Sequence, residues 1–269
     1  MNLGATLENA RTTSKVVRAD LEDAIRSRRS PLDLELDDRQ RKALADLKRD
    51  GYAVIENYWP RERALELRDR LEAYLEIGED RDFEEGAWMR FWDKRSYDQG
   101  VRRIYHVEKL VRELEAVRHD PFVLDIAKAY YGVPFHSNVL VFQHNTQTNE
   151  HTRYYHVDAF IREFKSFVYL DDVDPGNGPF AYLRGTHRSH FTRLKKQVLG
   201  NPEGENPTSF FEDDIRPLID REVQVCGPAG TLILTNVRGL HRGSPQLERS
   251  RSVLVNYILK HPGDLEIDK

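Results

Sequence analysis

His156 and Asp158 stand two positions apart in RYYHVDAF, residues 153 to 160, among aromatic and apolar neighbours with the composition of a strand. Side chains at i and i+2 of a strand point the same way, so an imidazole and a carboxylate would project from one face. Such a pair suits a metal ion, although two residues alone make a weak motif. A third donor is His241 in TLILTNVRGLHRGSP. It follows directly on a strand carrying Leu232, Ile233 and Leu234, which places it at the mouth of a barrel. Two histidines and one aspartate occupy one face of an Fe(II) ion and leave three positions open for cosubstrate and O2. A structural zinc would want a fourth protein ligand, and no other histidine is obviously placed to supply it.

An oxygen-activating centre of this kind also needs an electron donor. 2-Oxoglutarate chelates such a metal through its keto-acid end, and its distal carboxylate must be clamped. Arg251 opens RSVLVNYI ten residues after His241, and period two places it on the face of Val253, Val255 and Tyr257. A buried arginine is costly unless an anion pairs with it, and its planar fork suits bidentate carboxylate binding. Arg249 has the same parity and is the alternative. Arg251 is favoured because it begins the strand, whereas Arg249 falls in the turn before it.

These residues need a frame to bring them together. Residues 1–36 are polar and read as a loosely docked arm with some helix, and residues 37–269 read as a single domain. A helical lead-in is expected over 37–135 and a barrel core over 136–260. DDRQRKALADLKRDG has an aspartate N-cap and a glycine stop, and YAVIENYW follows as a strand. PRERALELRDRLEAYLEIG is a second helix with Leu65, Leu71 and Leu75 on one stripe, and DPFVLDIAKAYYG a third. The aromatic and arginine-rich stretch from Glu79 to Val111 reads as irregular, either lining a pocket or capping the core.

From Ser137 onward, SNVLVFQHN, YYHVDAF, FKSFVYLDD, PFAYLRG, EVQVCG, GTLILTN and RSVLVNYILK alternate with turns such as DPGNGP. Many short strands after a helical lead-in predict a mainly β fold, an antiparallel barrel or double-sheet jelly roll with helices outside. The long polar stretch 194–220 is a candidate lid.

Composition narrows the partners. A net charge of -4 with both signs interspersed gives no basic footprint for nucleic acid. The single cysteine, Cys226, excludes an internal disulfide and a cysteine-rich metal site, and suits a cytoplasmic location. No apolar run approaches membrane-spanning length. A small-molecule substrate is expected. Arg90, Arg95, Arg102, Arg103, Arg153 and Arg238 hint that it is anionic.

Taken together, HVD, YLDDVDPGNGPFAYLRGTHRSH and RGLHRGSP with RSRSVLVNYI resemble the phytanoyl-CoA dioxygenase family of Fe(II)/2-oxoglutarate oxygenases. LKRDGYAVIENYWPRERALELRDRLE is similar to that family's N-terminal portion, so the resemblance spans approximately residues 37 to 260. It implies a double-stranded β-helix (jelly roll, cupin-like) flanked by α-helices. It matches His156, Asp158 and His241 to the metal triad and Arg251 to the cosubstrate arginine. It also implies places beside 2-oxoglutarate for Phe167 and Gln143. The implied activity is hydroxylation of an unactivated carbon with release of succinate and CO2, and Asp158 speaks against halogenation. RGTH departs from the family's usual turn, and Arg184 within it is expected at the pocket rim.

Other polar residues have blander readings. His187 and His190 suit a capped turn, His144 and His151 a solvated loop, and Asp171, Asp172 and Asp174 a turn. Of Tyr154 and Tyr155, alternation lets only one approach the metal side. Two rival functions remain at this stage. A metal-dependent hydrolase or isomerase on a cupin-like barrel would not need Arg251, and a non-catalytic binding protein would be expected to have lost a ligand.

Overall fold

The computed structural model describes residues 32–91, 100–147, 154–158, 162–188, 209–210 and 212–260, with helical positions 14, 17, 18, 21, 22 and 25. Most of the expected arm, and residues 194–208 of the candidate lid, lie outside the described residues. Helix α1, Asp38–Asp50, starts where Asp37 and Gln40 cap each other's backbone N–H reciprocally. It stops at Gly51, whose φ of 94° lies in the left-handed region. A side chain at Gly51 would also run into Tyr182 and His187. Strand β1 spans Tyr52–Ile55, shorter than the expected YAVIENYW.

Helix α2, Arg61–Leu75, begins after Pro60. It buries Ala64, Leu67, Leu71 and Leu75 at spacings of three and four. Leu65 was expected on that stripe, but it sits one position off the buried face and is only partly covered.

The stretch from Glu79 to Val111 is not irregular. It forms β2 (Arg81–Asp82), β3 (Trp88–Phe91) and β4 (Val101–Tyr105), which extend the main sheet, while residues 92–99 lie outside the described set. In VRRIY, alternation sends Arg103 to the inner face and Ile104 to the outer core. The paired arginines, poor strand formers in isolation, hid that alternation. Helices α3 (Leu114–Arg118) and α4 (Pro121–Tyr131) follow, α4 capped by Asp120 and closed by Gly132.

The remaining strands are β5 (His136–Asn145), β6 (Tyr155–His156), β7 (Glu163–Tyr169), β8 (Phe180–Leu183) and β9 (Ser209–Phe210). After the short helix α5 (Glu212–Ile215) come β10 (Glu222–Val225), β11 (Leu232–Asn236), β12 (His241–Gly243) and β13 (Arg251–Leu259). They make two antiparallel sheets, ordered β1-β11-β7-β13-β5-β4-β3-β2 and β10-β8-β12-β6-β9. The arrangement is a two-sheet jelly roll and not a closed barrel.

Period two divides the core. Leu232, Leu234, Leu254 and Ile258 face outward against Leu47, Leu71 and Ile126 of the helices. Ile233, Val253 and Val255 face inward with Phe180 and Tyr182 of the smaller sheet. Each fully buried Leu or Ile is worth roughly 1.5–3 kcal/mol, so both faces of β13 and β11 are anchored and their register is fixed. That fixed register determines which side chains reach the space between the sheets.

Candidate metal and cosubstrate site

β6 is only two residues long, so Asp158 lies past the strand end and is not the strand partner of His156 that RYYHVDAF predicts. Its N–H donates instead to the Val237 carbonyl at 3.3 Å, which docks it beside the segment leading to His241. His241 is likewise not a tail on β11. It opens β12 in the smaller sheet, directly opposite His156 of β6. A turn between sheets, invisible to periodicity, carries the chain from one to the other.

The three side chains converge nonetheless. One ligand atom from each of His156, Asp158 and His241 lies within 4.8 Å of the others. Asp158 Oδ1 is 3.4 Å from His156 Nε2, and Asp158 Oδ2 is 3.2 Å from His241 Nε2. His156 Nδ1 donates to the Tyr154 carbonyl at 3.1 Å and His241 Nδ1 to the Gly239 carbonyl at 2.9 Å. A carbonyl can only accept, so both Nδ1 atoms carry a proton and both Nε2 atoms are turned toward the carboxylate. With Nε2 unprotonated, two imidazoles and one carboxylate oriented in this way fit a divalent cation.

All six residues singled out in the sequence line one cavity between the sheets: His156, Asp158, His241, Arg251, Phe167 and Gln143. Arg251 is buried at the start of β13 and donates to the Gly178 carbonyl. Burial lowers its pKa from the ordinary arginine value, a penalty that a bound carboxylate would offset. Arg249 is exposed and bonds Asp174 outside the cavity. Phe167 packs its ring 5.1 Å from that of Phe180, and Gln143 accepts from Arg103 Nε at 2.8 Å.

Lys165 also lines the cavity and escaped the sequence reading. Lys165 had a visible signal: it is the one charged residue within FKSFVYL and shares parity with Phe167. Its Nζ sits 2.7 Å from Asp158 Oδ2 and 3.4 Å from Glu163 Oε1. Burial alone would raise the Asp158 pKa, but Lys165 and then His241 hold it well below the usual carboxylate range. Burial lowers the pKa of His241, in keeping with a neutral ligand. For His156 burial acts to lower the pKa, but the neighbouring Asp158 carboxylate outweighs it and the net shift is upward.

The other polar candidates separate cleanly. Of the arginines considered for an anionic substrate, Arg103 lines the cavity, while Arg90 pairs with Asp82 and Arg102 lies over Phe91. Arg238 is buried without lining the cavity, and Arg95 and Arg153 are outside the described residues. His144 is not solvated as expected. It is largely buried and contacts Ser252 Oγ at 2.8 Å and Glu72 Oε1 at 3.2 Å. His187 is buried near Gly51, and His151 and His190 lie outside the described set. Asp171 and Asp172 pair with Arg68 and Arg61, and Asp174 caps a turn, as their composition suggests. Tyr155 is buried, Tyr154 is exposed, and neither lines the cavity. Arg184 is exposed and likewise absent from the cavity wall.

Residues 47–252 match the model of the phytanoyl-CoA dioxygenase (PhyH) family, and the chain belongs to that family. Its class is that of the Fe(II)/2-oxoglutarate-dependent oxygenases. No curated protein sequence matches the chain. Among solved structures, EctD from S. alaskensis with bound Fe is 17% identical, with 88% of this chain and 83% of that one covered at a TM-score of 0.61. The epimerase SnoN, in complex with Fe3+, alpha ketoglutarate and nogalamycin RO, is 16% identical over 82% of this chain and 83% of its own, TM-score 0.58. HygX from Streptomyces hygroscopicus, with nickel and 2-oxoglutarate bound, is 18% identical over 84% and 88%, TM-score 0.57. At these identities the likeness is one of fold. No helix among the described residues is long and apolar enough to cross a membrane.

Proposed function

We propose that this oxygenase hydroxylates an unactivated carbon of a small, anionic organic molecule. In this reading His156, Asp158 and His241 ligate Fe(II), Arg251 clamps the distal carboxylate of 2-oxoglutarate, and Phe167 and Gln143 wall the cosubstrate. The observation that carries it is the convergence of three ligand atoms within 4.8 Å in the cavity that also holds Arg251. With metal, cosubstrate and O2 bound, the site would supply hydrogen abstraction from carbon coupled to release of succinate and CO2.

The chain's own residues supply orientation and exclusion. The Tyr154 and Gly239 carbonyls fix the tautomers of the two histidines. Phe167, Tyr169, Val253 and Val255 give the cavity an apolar floor that keeps bulk water from the reacting carbon. Arg103, which donates to Gln143, supports an anionic substrate because among the described residues it alone of the earlier group lines the cavity. We infer further that residues 37–269 act as one catalytic unit in the cytoplasm. Among structural neighbours one is described as an epimerase and another, SnoK, as a carbocyclase. Product mass is therefore part of the test, since hydroxylation adds one oxygen atom.

The test is anaerobic titration of metal-free protein with Fe(II) and then 2-oxoglutarate, followed by a substrate screen on succinate release. A weak visible charge-transfer band is expected on addition of 2-oxoglutarate, and it should be absent in His156→Ala. Bound iron with no band at any cosubstrate concentration would overturn the oxygenase reading and favour a metal-dependent hydrolase.

A further inference from the structure

Lys165 is a buried ammonium beside the metal ligands, and the chemistry described so far gives it no task. It lies on the inner face of β7, opposite Tyr257 of β13 and Thr235 of β11. Its Nζ is 2.7 Å from Asp158 Oδ2, 3.4 Å from Glu163 Oε1 and 3.9 Å from the centroid of the Tyr257 ring. Its side chain is 7% exposed and that of Glu163 is 1% exposed, so the pair is shielded from water. Burying an ammonium costs several kcal/mol unless geometry and partners are good, so a purely stabilising role would be better filled by an apolar side chain.

We propose that Lys165 is a positioning residue that holds one oxygen of Asp158 so that the other alone ligates the metal. The inference rests on the reading of His156, Asp158 and His241 as metal ligands. A carboxylate can bind a cation through one oxygen or both. Two histidines and one oxygen leave three positions open in an octahedral shell, whereas a bidentate aspartate leaves two. Two would accommodate the chelating cosubstrate and nothing else. A short charge-assisted hydrogen bond from Lys165 takes up one Asp158 oxygen and disfavours the bidentate mode.

Glu163 fixes the clamp. Its two oxygens have no hydrogen-bond partner among the described residues, and Lys165 lies within ion-pair distance without hydrogen-bond alignment. The carboxylate therefore acts on the ammonium by charge, and the Tyr257 ring lies against the same ammonium. The ammonium is held in place without being drawn away from Asp158.

The experiment compares metal-free full-length wild type with Lys165→Met, Lys165→Arg and Lys165→Gln by anaerobic Fe(II) titration. Co(II) serves as a spectroscopic probe of coordination number. Lys165→Met is expected to weaken Fe(II) binding about 10- to 100-fold, the usual range for loss of a hydrogen bond to a metal ligand. Its Co(II) absorption should change in intensity, reporting altered coordination, and Lys165→Arg should restore most of the wild-type spectrum. If Lys165→Met does not fold, Lys165→Gln carries the comparison, with the same direction of change. A neutral variant that keeps wild-type Fe(II) affinity and Co(II) spectrum while losing only thermal stability would overturn the proposal. Wild type that takes up neither metal would instead overturn the ligand assignment on which it rests.

Discussion

His241 stands directly opposite His156 in the antiparallel register of β12 and β6, with the two imidazole centroids 4.6 Å apart. In the proposed ligand set, replacing either residue leaves two ligands. His156→Ala and His241→Ala are each expected to weaken Fe(II) at least 100-fold in anaerobic titration. His241→Ala should also cost more stability, because His241 is 4% exposed and packs near Tyr182 and Phe180, whereas His156 is partly open. Equal iron affinity in either variant and wild type would remove that residue from the ligand set.

The two candidate arginines differ in setting, and their variants should differ accordingly. Arg251→Ala is expected to raise the apparent Kd for 2-oxoglutarate at least tenfold, with Fe(II) affinity unchanged. Arg251→Lys should recover part of the loss, because an ammonium offers charge without the bidentate fork. Arg249→Ala should stay within twofold of wild type, since its guanidinium bonds Asp174 in solvent. The measurement is the charge-transfer band against cosubstrate concentration.

Gly239 couples backbone packing to the metal site. A Cβ there would overlap the Tyr182 hydroxyl, which donates to the Asn236 carbonyl at 2.9 Å. The Gly239 carbonyl also holds His241 Nδ1. Gly239→Ala should therefore lower stability by about 1–3 kcal/mol, the usual cost of overpacking, and weaken Fe(II) binding as well. Thermal unfolding and metal titration on one sample read both effects, and a loss of stability with unaltered metal affinity would uncouple them.

Glu163 gives a pH dependence of defined sign. Burial pushes its carboxyl up to about 7, with Lys165 opposing the shift and Asp158 adding to it. The unfolded chain titrates near the ordinary glutamate value of about 4.3, so the folded state binds this proton more tightly. Stability from this group is fully present below about pH 4 and is lost as pH rises to about 7. Relative to wild type, Glu163→Gln should gain stability progressively across that window, by about 1–3 kcal/mol in total, and hold the gain above it. Denaturant unfolding of the metal-free proteins at several pH values checks this. A constant difference between the two would show that Glu163 titrates normally.

That His156, Asp158, His241 and Arg251 would share one cavity was legible from residue chemistry, with strand parity pointing to Arg251. The path by which they meet was not. Parity placed His156 and Asp158 on one strand, yet Asp158 is held by a hydrogen bond to Val237, a contact 79 residues away in sequence that no local pattern encodes. His241 was read as the end of β11, but a tight turn hands it to the other sheet. β3 and β4 were missed because Arg90, Arg102 and Arg103 lower apparent strand propensity, while pairing with β5 and packing of Ile104 override it. The capped helices were read well, since Asp37, Gly51, Asp120 and Gly132 act within a single turn.

Each histidine of the triad takes its tautomer from a carbonyl two residues earlier in its own segment, Tyr154 for His156 and Gly239 for His241. The donor orientation thus travels with two short pieces of chain, independently of the residues that wall the cavity. Substitutions at positions such as Arg103 and Gln143 on the opposing sheet are expected to leave the imidazole tautomers unchanged. An engineer could rebuild that wall for a new substrate and leave the ligand tautomers as they stand.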